Sequence, residues 1–161
     1  MLVTLLTVWL ATGSNLFGYR YWSVTQDKYE AALAKWHSLP VEEYEETLDL
    51  YSSGKWKLLV QVQSVNGIRV DKITKLESLD ETAADLAKIW DAQYFEDSFT
   101  VDAMLQSISS ILQRPDRFHP VSGVNFLEIK FHPDMGYPQT YTMYDAQGPA
   151  DLVLVGLKVL K

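Results

Sequence analysis

Residues 100–113, TVDAMLQSISSILQ, limit what this chain can become more than any other stretch does. Val101, Met104, Leu105, Ile108, Ile111 and Leu112 recur at i, i+3, i+4, i+7, i+10 and i+11, one apolar stripe at helical period, with Asp102, Gln106, Ser109, Ser110 and Gln113 away from it. The Thr100 hydroxyl can cap the first turn, Asp102 sets a negative charge at the positive end of the helix dipole, and Pro115 stops the helix. A stripe of this kind has to be buried against something. Segments on both sides of it alternate as strands do, so the helix is predicted to cover a sheet.

On the N-terminal side, residues 44–51 set Tyr44, Leu48 and Leu50 against Glu45, Thr47 and Asp49, and a turn follows at Ser52-Ser53-Gly54. Trp56, Leu58, Val60 and Val62 then alternate with Lys57, Leu59, Gln61 and Gln63 toward Asn66-Gly67, the strongest two-residue hairpin signal there is. Ile68 and Val70 open the return strand, and the shift of apolar parity before Ile73 predicts a bulge near Asp71 and Lys72. On the C-terminal side a meander is predicted. Leu127, Ile129 and Phe131 alternate with Glu128, Lys130 and His132; residues 133–136 turn; Tyr141 and Met143 alternate with Thr140, Thr142 and Tyr144; residues 145–148 turn again. Residues 151–161, DLVLVGLKVLK, make the most apolar strand, with Val153, Val155, Leu157 and Val159 inward, and this low polarity predicts a central place in the sheet.

Two further helices complete the pattern. One begins at a possible Ser23–Gln26 capping box, carries Tyr29, Leu33 and Trp36 along one line and ends before Pro40; that line reads as a core face. The other is capped by Asp80 and turns Ala83, Leu86, Ala87 and Trp90 one way, before a polar joint at residues 96–98. The predicted fold is therefore α+β. A single domain over residues 23–161 has an antiparallel sheet of about six strands, with two or three helices packed on one face, and an apolar segment over residues 1–22 precedes it.

That segment carries the signal for location. Residues 1–19 hold no charge, and LVTLLTVWLA runs into Ala11-Thr12-Gly13, the small-x-small form of a signal-peptidase site. Cleavage there predicts export to the periplasm or cell surface. An uncleaved anchor is the alternative, since about 19 residues at 1.5 Å rise span roughly 28 Å. No basic residue precedes the run and Arg20 follows it, against the usual charge bias of exported chains. In either form the membrane is met only through this segment. The net charge of −7, with 14 scattered basic residues, argues against a nucleic-acid partner. Zero cysteines exclude disulfides, thiolate nucleophiles and Cys-based metal sites.

Read in order, Trp36, Tyr44, Asn66-Gly67, Thr100-Val101-Asp102, Gly136-Tyr137-Pro138 and Asp145 resemble a family of exported bacterial domains of unknown function, number 6174 in its naming series and often small lipoproteins. The resemblance covers residues 28–161 and implies an extracytoplasmic α+β domain. Family members commonly carry a Cys pair after the first strand and a lipoprotein Cys. Here Ser52-Ser53-Gly54 stands in the first place and no Cys in the second, so no thiol or lipid role transfers.

Candidate sites are few, and no cofactor is implied. His119, His132 and Asp134 are the available metal ligands, in a spacing that matches no known signature. Ser122-Gly123 is no nucleophile elbow, and the acidic pairs Glu42-Glu43, Glu45-Glu46 and Asp80-Glu81 read as solvated faces without a desolvated general acid. The turn Gly136-Tyr137-Pro138, with positive φ at Gly136 and a half-exposed ring, can with Asp134 and Asp145 hold a partner loop or peptide. The expectation is a binding or adaptor domain for a protein or small molecule, with a metal protein or enzyme built on His119, His132 and Asp134 as the alternative.

Overall fold

The computed structural model describes residues 21–113, 126–145 and 148–161. The apolar run over residues 1–20, His119 and the loop around it lie outside the described residues. Among the described residues the chain is a mixed α+β structure. Its elements run β1 (Tyr21–Trp22), α1 (Gln26–Ser38), β2 (Glu43–Leu50), β3 (Gly54–Val65), β4 (Ile68–Ser78), α2 (Glu81–Leu86), α3 (Ala92–Glu96), α4 (Val101–Gln113), β5 (Phe126–Phe131), β6 (Pro138–Asp145) and β7 (Gly148–Val159).

The described strands pair in the order β1-β5-β6-β7-β2-β3-β4, so the last strand in sequence lies in the middle of the sheet. Every neighbouring pair is antiparallel but one: β1 runs parallel to β5, with Tyr21 opposite Phe126 and Trp22 opposite Leu127. Burial alternates along β2, where positions 44, 46, 48 and 50 face inward, and Trp56, Leu58 and Val60 of β3 continue that face. These residues share one core with Tyr29 and Trp36 of α1, Phe95 of α3 and the stripe of α4. Val101, Met104, Leu105, Ile108 and Ile111 are all buried, as the helical spacing requires of a helix lying on a sheet.

Local chemistry sets the ends of these elements and corrects several sequence expectations. The cap of α1 is Thr25, whose hydroxyl accepts from Lys28 N–H at 3.4 Å. Ser23 is drawn away from that role because its hydroxyl accepts from Ile129 N–H at 3.0 Å, which fastens the chain to β5. The single helix expected after Asp80 is two. Asp80 caps α2 and Asp91 caps α3, each through a carboxylate accepting from the backbone three residues on, and Ala87 is left exposed between them. The break lets Trp90 stack on Trp56 at 6.0 Å and on Tyr94 at 4.6 Å.

In the hairpin, Asn66 and Gly67 take φ of 54° and 78°, the paired left-handed conformation of a two-residue turn. The bulge of β4 falls at Thr74, since the register steps from Leu59↔Lys75 to Val60↔Ile73, and the Thr74 hydroxyl donates to Leu59 O. Arg69, Asp71 and Ile73 therefore face the core, and Ile68 and Val70 face solvent, the reverse of what apolarity implies. A second register step lies between Leu48↔Leu154 and Thr47↔Gly156; Leu154 is buried, and Val159, expected inward, is 38% exposed.

Candidate functional site

The inversion in β4 carries a polar cluster into the core at the N-terminus of α4. A helix begins with backbone N–H groups that have no partner within it, and a buried helix start needs acceptors from elsewhere. Strands supply them here. Val101 N–H donates to the Tyr44 hydroxyl at 3.2 Å, Asp102 N–H to Asp71 Oδ2 at 3.2 Å, and Ala103 N–H to Thr100 Oγ1 at 3.3 Å. Tyr44 donates its own hydroxyl hydrogen to the same Asp71 oxygen at 2.7 Å. The helix start, β2 and β4 are thus tied at one carboxylate.

Asp102 extends the cluster outward. Its Oδ1 accepts from Trp36 Nε1 at 2.9 Å and lies 3.3 Å from His37 Nε2, while its Oδ2 lies 3.4 Å from Arg69 Nε. The Arg69 guanidinium sits 4.7 Å over the Trp36 ring, a cation held on an aromatic face. Its Nε is 3.9 Å from Asp71 Oδ1, and neither that oxygen nor the buried Nε and Nη2 of Arg69 has a hydrogen-bond partner. At the far side, the Glu96 carboxylate accepts from Ile73 N–H at 2.9 Å.

Glu46 is the largest departure from the sequence reading. The Glu45-Glu46 pair was expected on a solvated face, yet Glu46 is 0% exposed, and neither of its carboxylate oxygens has a hydrogen-bond partner. Burial, and then the neighbouring Asp71, push its pKa well above the ordinary carboxylate range, which keeps it protonated where a surface glutamate is charged. The Asp71 pKa is raised too, by burial first and Asp102 second, against the pull of Tyr44, the Asp102 N–H and Arg69. Between these two carboxyls, Asp71 has the donors and the cation, so it carries the charge and Glu46 the proton. Burial with both carboxyls nearby also lifts the Tyr44 phenol well above its usual value, so it stays a donor.

A cavity of about 430 Å³ opens beside this cluster, between α1, α4 and β4. Leu33, Ile68, Val70 and Leu105 give it apolar sides, and His37, Arg69, Asp71, Glu96, Asp102 and Gln106 line it with polar groups. Apolar walls with a few convergent polar groups are the usual makeup of a ligand site.

The turn expected to bind a partner packs against α1. Gly136 adopts φ of 80°, as the turn requires, and a Cβ there would collide with the backbone carbonyl of Ala32 in α1. Tyr137 follows it into the core: only 6% exposed, it packs edge-on against Trp36 at 6.3 Å and stacks on His132 at 4.9 Å, so the half-exposed ring expected there is absent. Pro138 is buried as well. Nδ1 of His132 faces the N–H groups of Asp134 and Met135 at 3.3 and 3.2 Å, which takes up that nitrogen as an acceptor, and Asp134 is exposed beside it. Asp145 ends β6 opposite Gly148; counting 145 − 138 = 7 strand steps, it stands on the order of 23 Å from the Pro138 end. The residues proposed from sequence for binding are therefore not gathered at one place. Among the described residues no group of three His, Asp or Glu side chains is arranged to hold a metal.

Sequence reasoning missed the cluster because it read apolar periodicity and passed over polar residues in phase with it. Glu46 sits between Tyr44 and Leu48 at the inward parity, and that was the available signal. Compared with protein-family models, with curated proteins and with solved structures, the chain matches none of them.

Proposed function

We propose that this protein is a binding module whose ligand enters the cleft between α1, α4 and β4. The observation that carries this reading is Asp102, one carboxylate that gathers Trp36, His37 and Arg69 at the edge of the cavity. The charge balance chooses among ligands. Asp71, Asp102 and Glu96 line the cleft with a single guanidinium, and the apolar sides suit an aliphatic body, so the fitting ligand is an amine on a short alkyl stem. Thermal unfolding with 1,5-diaminopentane and with glutarate, its dicarboxylate counterpart, tests this. The diamine at a hundred times its Kd is expected to add about 2.7 kcal/mol to stability, several degrees in a domain of this size, and glutarate nothing. Ala103→Trp, which fills the cleft, is expected to abolish the rise. Stabilisation by glutarate, or a diamine effect that survives Ala103→Trp, overturns the reading. A rise with Zn²⁺, Ni²⁺ or Ca²⁺ that vanishes in His132→Ala and Asp134→Ala would move the protein to the metal class.

Export belongs to the same proposal. It is supported by the apolar run over residues 1–19 with its Ala11-Thr12-Gly13 site, and by the resemblance to exported bacterial domains. Among the described residues no helix is long and apolar enough to cross a membrane. N-terminal sequencing of chain made from its native start with some upstream codons is expected to begin after Gly13 or to place an intact N-terminus in the membrane fraction. An intact Met1 in the soluble cytosolic fraction defeats it.

A further inference from the structure

The strand β4 ends the sheet order, so its outer backbone edge faces away from β3. The hairpin geometry fixes which residues face that way. In a two-residue hairpin the closing pair, here Val65 and Ile68, exchanges hydrogen bonds, and the residues alternate from there. Ile68, Val70 and Lys72 thus direct N–H and C=O toward β3, and Arg69, Asp71 and Ile73 direct theirs outward. The Ile73 N–H confirms the phase, because it donates to Glu96, which closes the open edge at that point. The Asp71 side chain is 1% exposed and the whole residue 8%, so the surface that residue shows to solvent is backbone.

Among the described residues, what remains is a short open edge at Arg69 and Asp71, beside apolar side chains that are exposed on the outer face: Val65 at 49%, Ile68 at 67% and Val70 at 41%. Edges of this kind are ordinarily blunted by proline, by a bulge or by a covering element. The bulge comes only at Thr74 and no proline is present in β4, leaving Lys72 as the one charged side chain on the outer face of this stretch.

We propose that this edge pairs with a second copy of the chain, β4 against β4, about a two-fold axis at Val70. Three symmetric registers keep outward-facing residues opposite one another within the open stretch. An axis at Arg69 sets Arg69 against Arg69, and an axis at Asp71 sets Asp71 against Asp71 and needs the Ile73 N–H that Glu96 already holds. The axis at Val70 alone sets Arg69 of each copy opposite Asp71 of the other, with four backbone hydrogen bonds between them. On the outer face Val70 meets Val70, and Ile68 lies along the alkyl stem of Lys72.

Sedimentation equilibrium of the full-length chain tests the pairing. A mass rising with concentration to about twice 18.4 kDa is expected, in the weak regime of a short edge contact. Val70→Lys and Val70→Glu each place like charges directly across the axis and are expected to be monomeric, with a far-UV circular dichroism spectrum like that of the unaltered chain. Mixed in equal amounts they put opposite charges across the axis, and the doubled mass is expected to return. The proposal is overturned by a chain that stays monomeric to roughly 1 mM, by association that survives Val70→Lys, or by a mixture that stays monomeric. These masses are read without ligand, so a failed diamine test leaves the pairing standing, and a monomeric chain leaves the diamine test standing.

Discussion

Glu46 is a carboxyl in the middle of β2 whose oxygens have no hydrogen-bond partner, and its pH dependence follows from its environment. Its folded pKa is raised, so below the unfolded value both states hold the proton and nothing is lost. As pH rises above that value the unfolded chain ionises while folded Glu46 cannot, and stability falls by about 1.4 kcal/mol per unit until the folded pKa is reached. Urea unfolding from about pH 4.5 upward is therefore expected to show a declining component that Glu46→Gln removes. Glu46→Met, similar in volume and without a buried polar group, is expected to stabilise the protein at pH 7 by about 1–3 kcal/mol. A loss of stability in Glu46→Met would mean that the carboxyl has a partner in solution. Tyr137 makes the opposite case at this scale. Turn chemistry alone left its ring half-exposed, but packing on Trp36 and His132 makes it core, so Tyr137→Ala is expected to cost on the order of 3 kcal/mol or more. The sequence identified the turn and its positive φ at Gly136, and could not identify what the turn packs against, since α1 is about a hundred residues earlier.

At the scale of elements, the stripe of α4 and its Thr100 cap were legible to the residue, because both are local. The start of that helix was not. Its first N–H groups are met by Tyr44 and Asp71, from β2 and β4, and no local pattern announces an acceptor 57 or 31 residues away. Tyr44→Phe removes one hydroxyl that both donates to Asp71 and accepts from Val101. It is expected to cost about 1–3 kcal/mol for each group left buried without a partner, and hydrogen exchange should quicken first at the Val101 and Asp102 amides. Uniform quickening across the chain would instead mark global destabilisation. The register steps at β4 and β7 were misplaced or missed for a related reason. Parity in the sequence shows that a strand changes face, but the step itself is taken where a partner strand can tolerate it, opposite Leu59 for Thr74 and beside Thr47 for β7.

Across the whole molecule the decisive contact is the one between β2 and β7. The apolarity of residues 151–161 correctly placed that strand in the interior of the sheet, but not its neighbours, because alternation states which face is buried and is silent on pairing. Tyr44 pairs with Val159, 159 − 44 = 115 residues apart, and this ladder alone joins the β2-β3-β4 hairpins to β5 and β6 within the sheet. Contacts so distant in sequence are closed at a high entropic cost and reward the chain only late, so folding is expected on the slower millisecond-to-second scale of sheets with non-local pairing. The same ladder predicts how the molecule fails. A chain ending at Asp145 loses the hydrogen-bonding partner of both β2 and β6 at once, leaves Leu48 without Leu154, and exposes two inner edges. It is expected to show no cooperative urea transition and to aggregate. A synthetic peptide of residues 148–161 added during refolding should restore a sigmoidal transition in proportion to its concentration, since strand and gap are complementary in register. A truncated chain that unfolds cooperatively on its own would show that the two parts of the sheet are independent, and the central position of β7 would then have no bearing on stability.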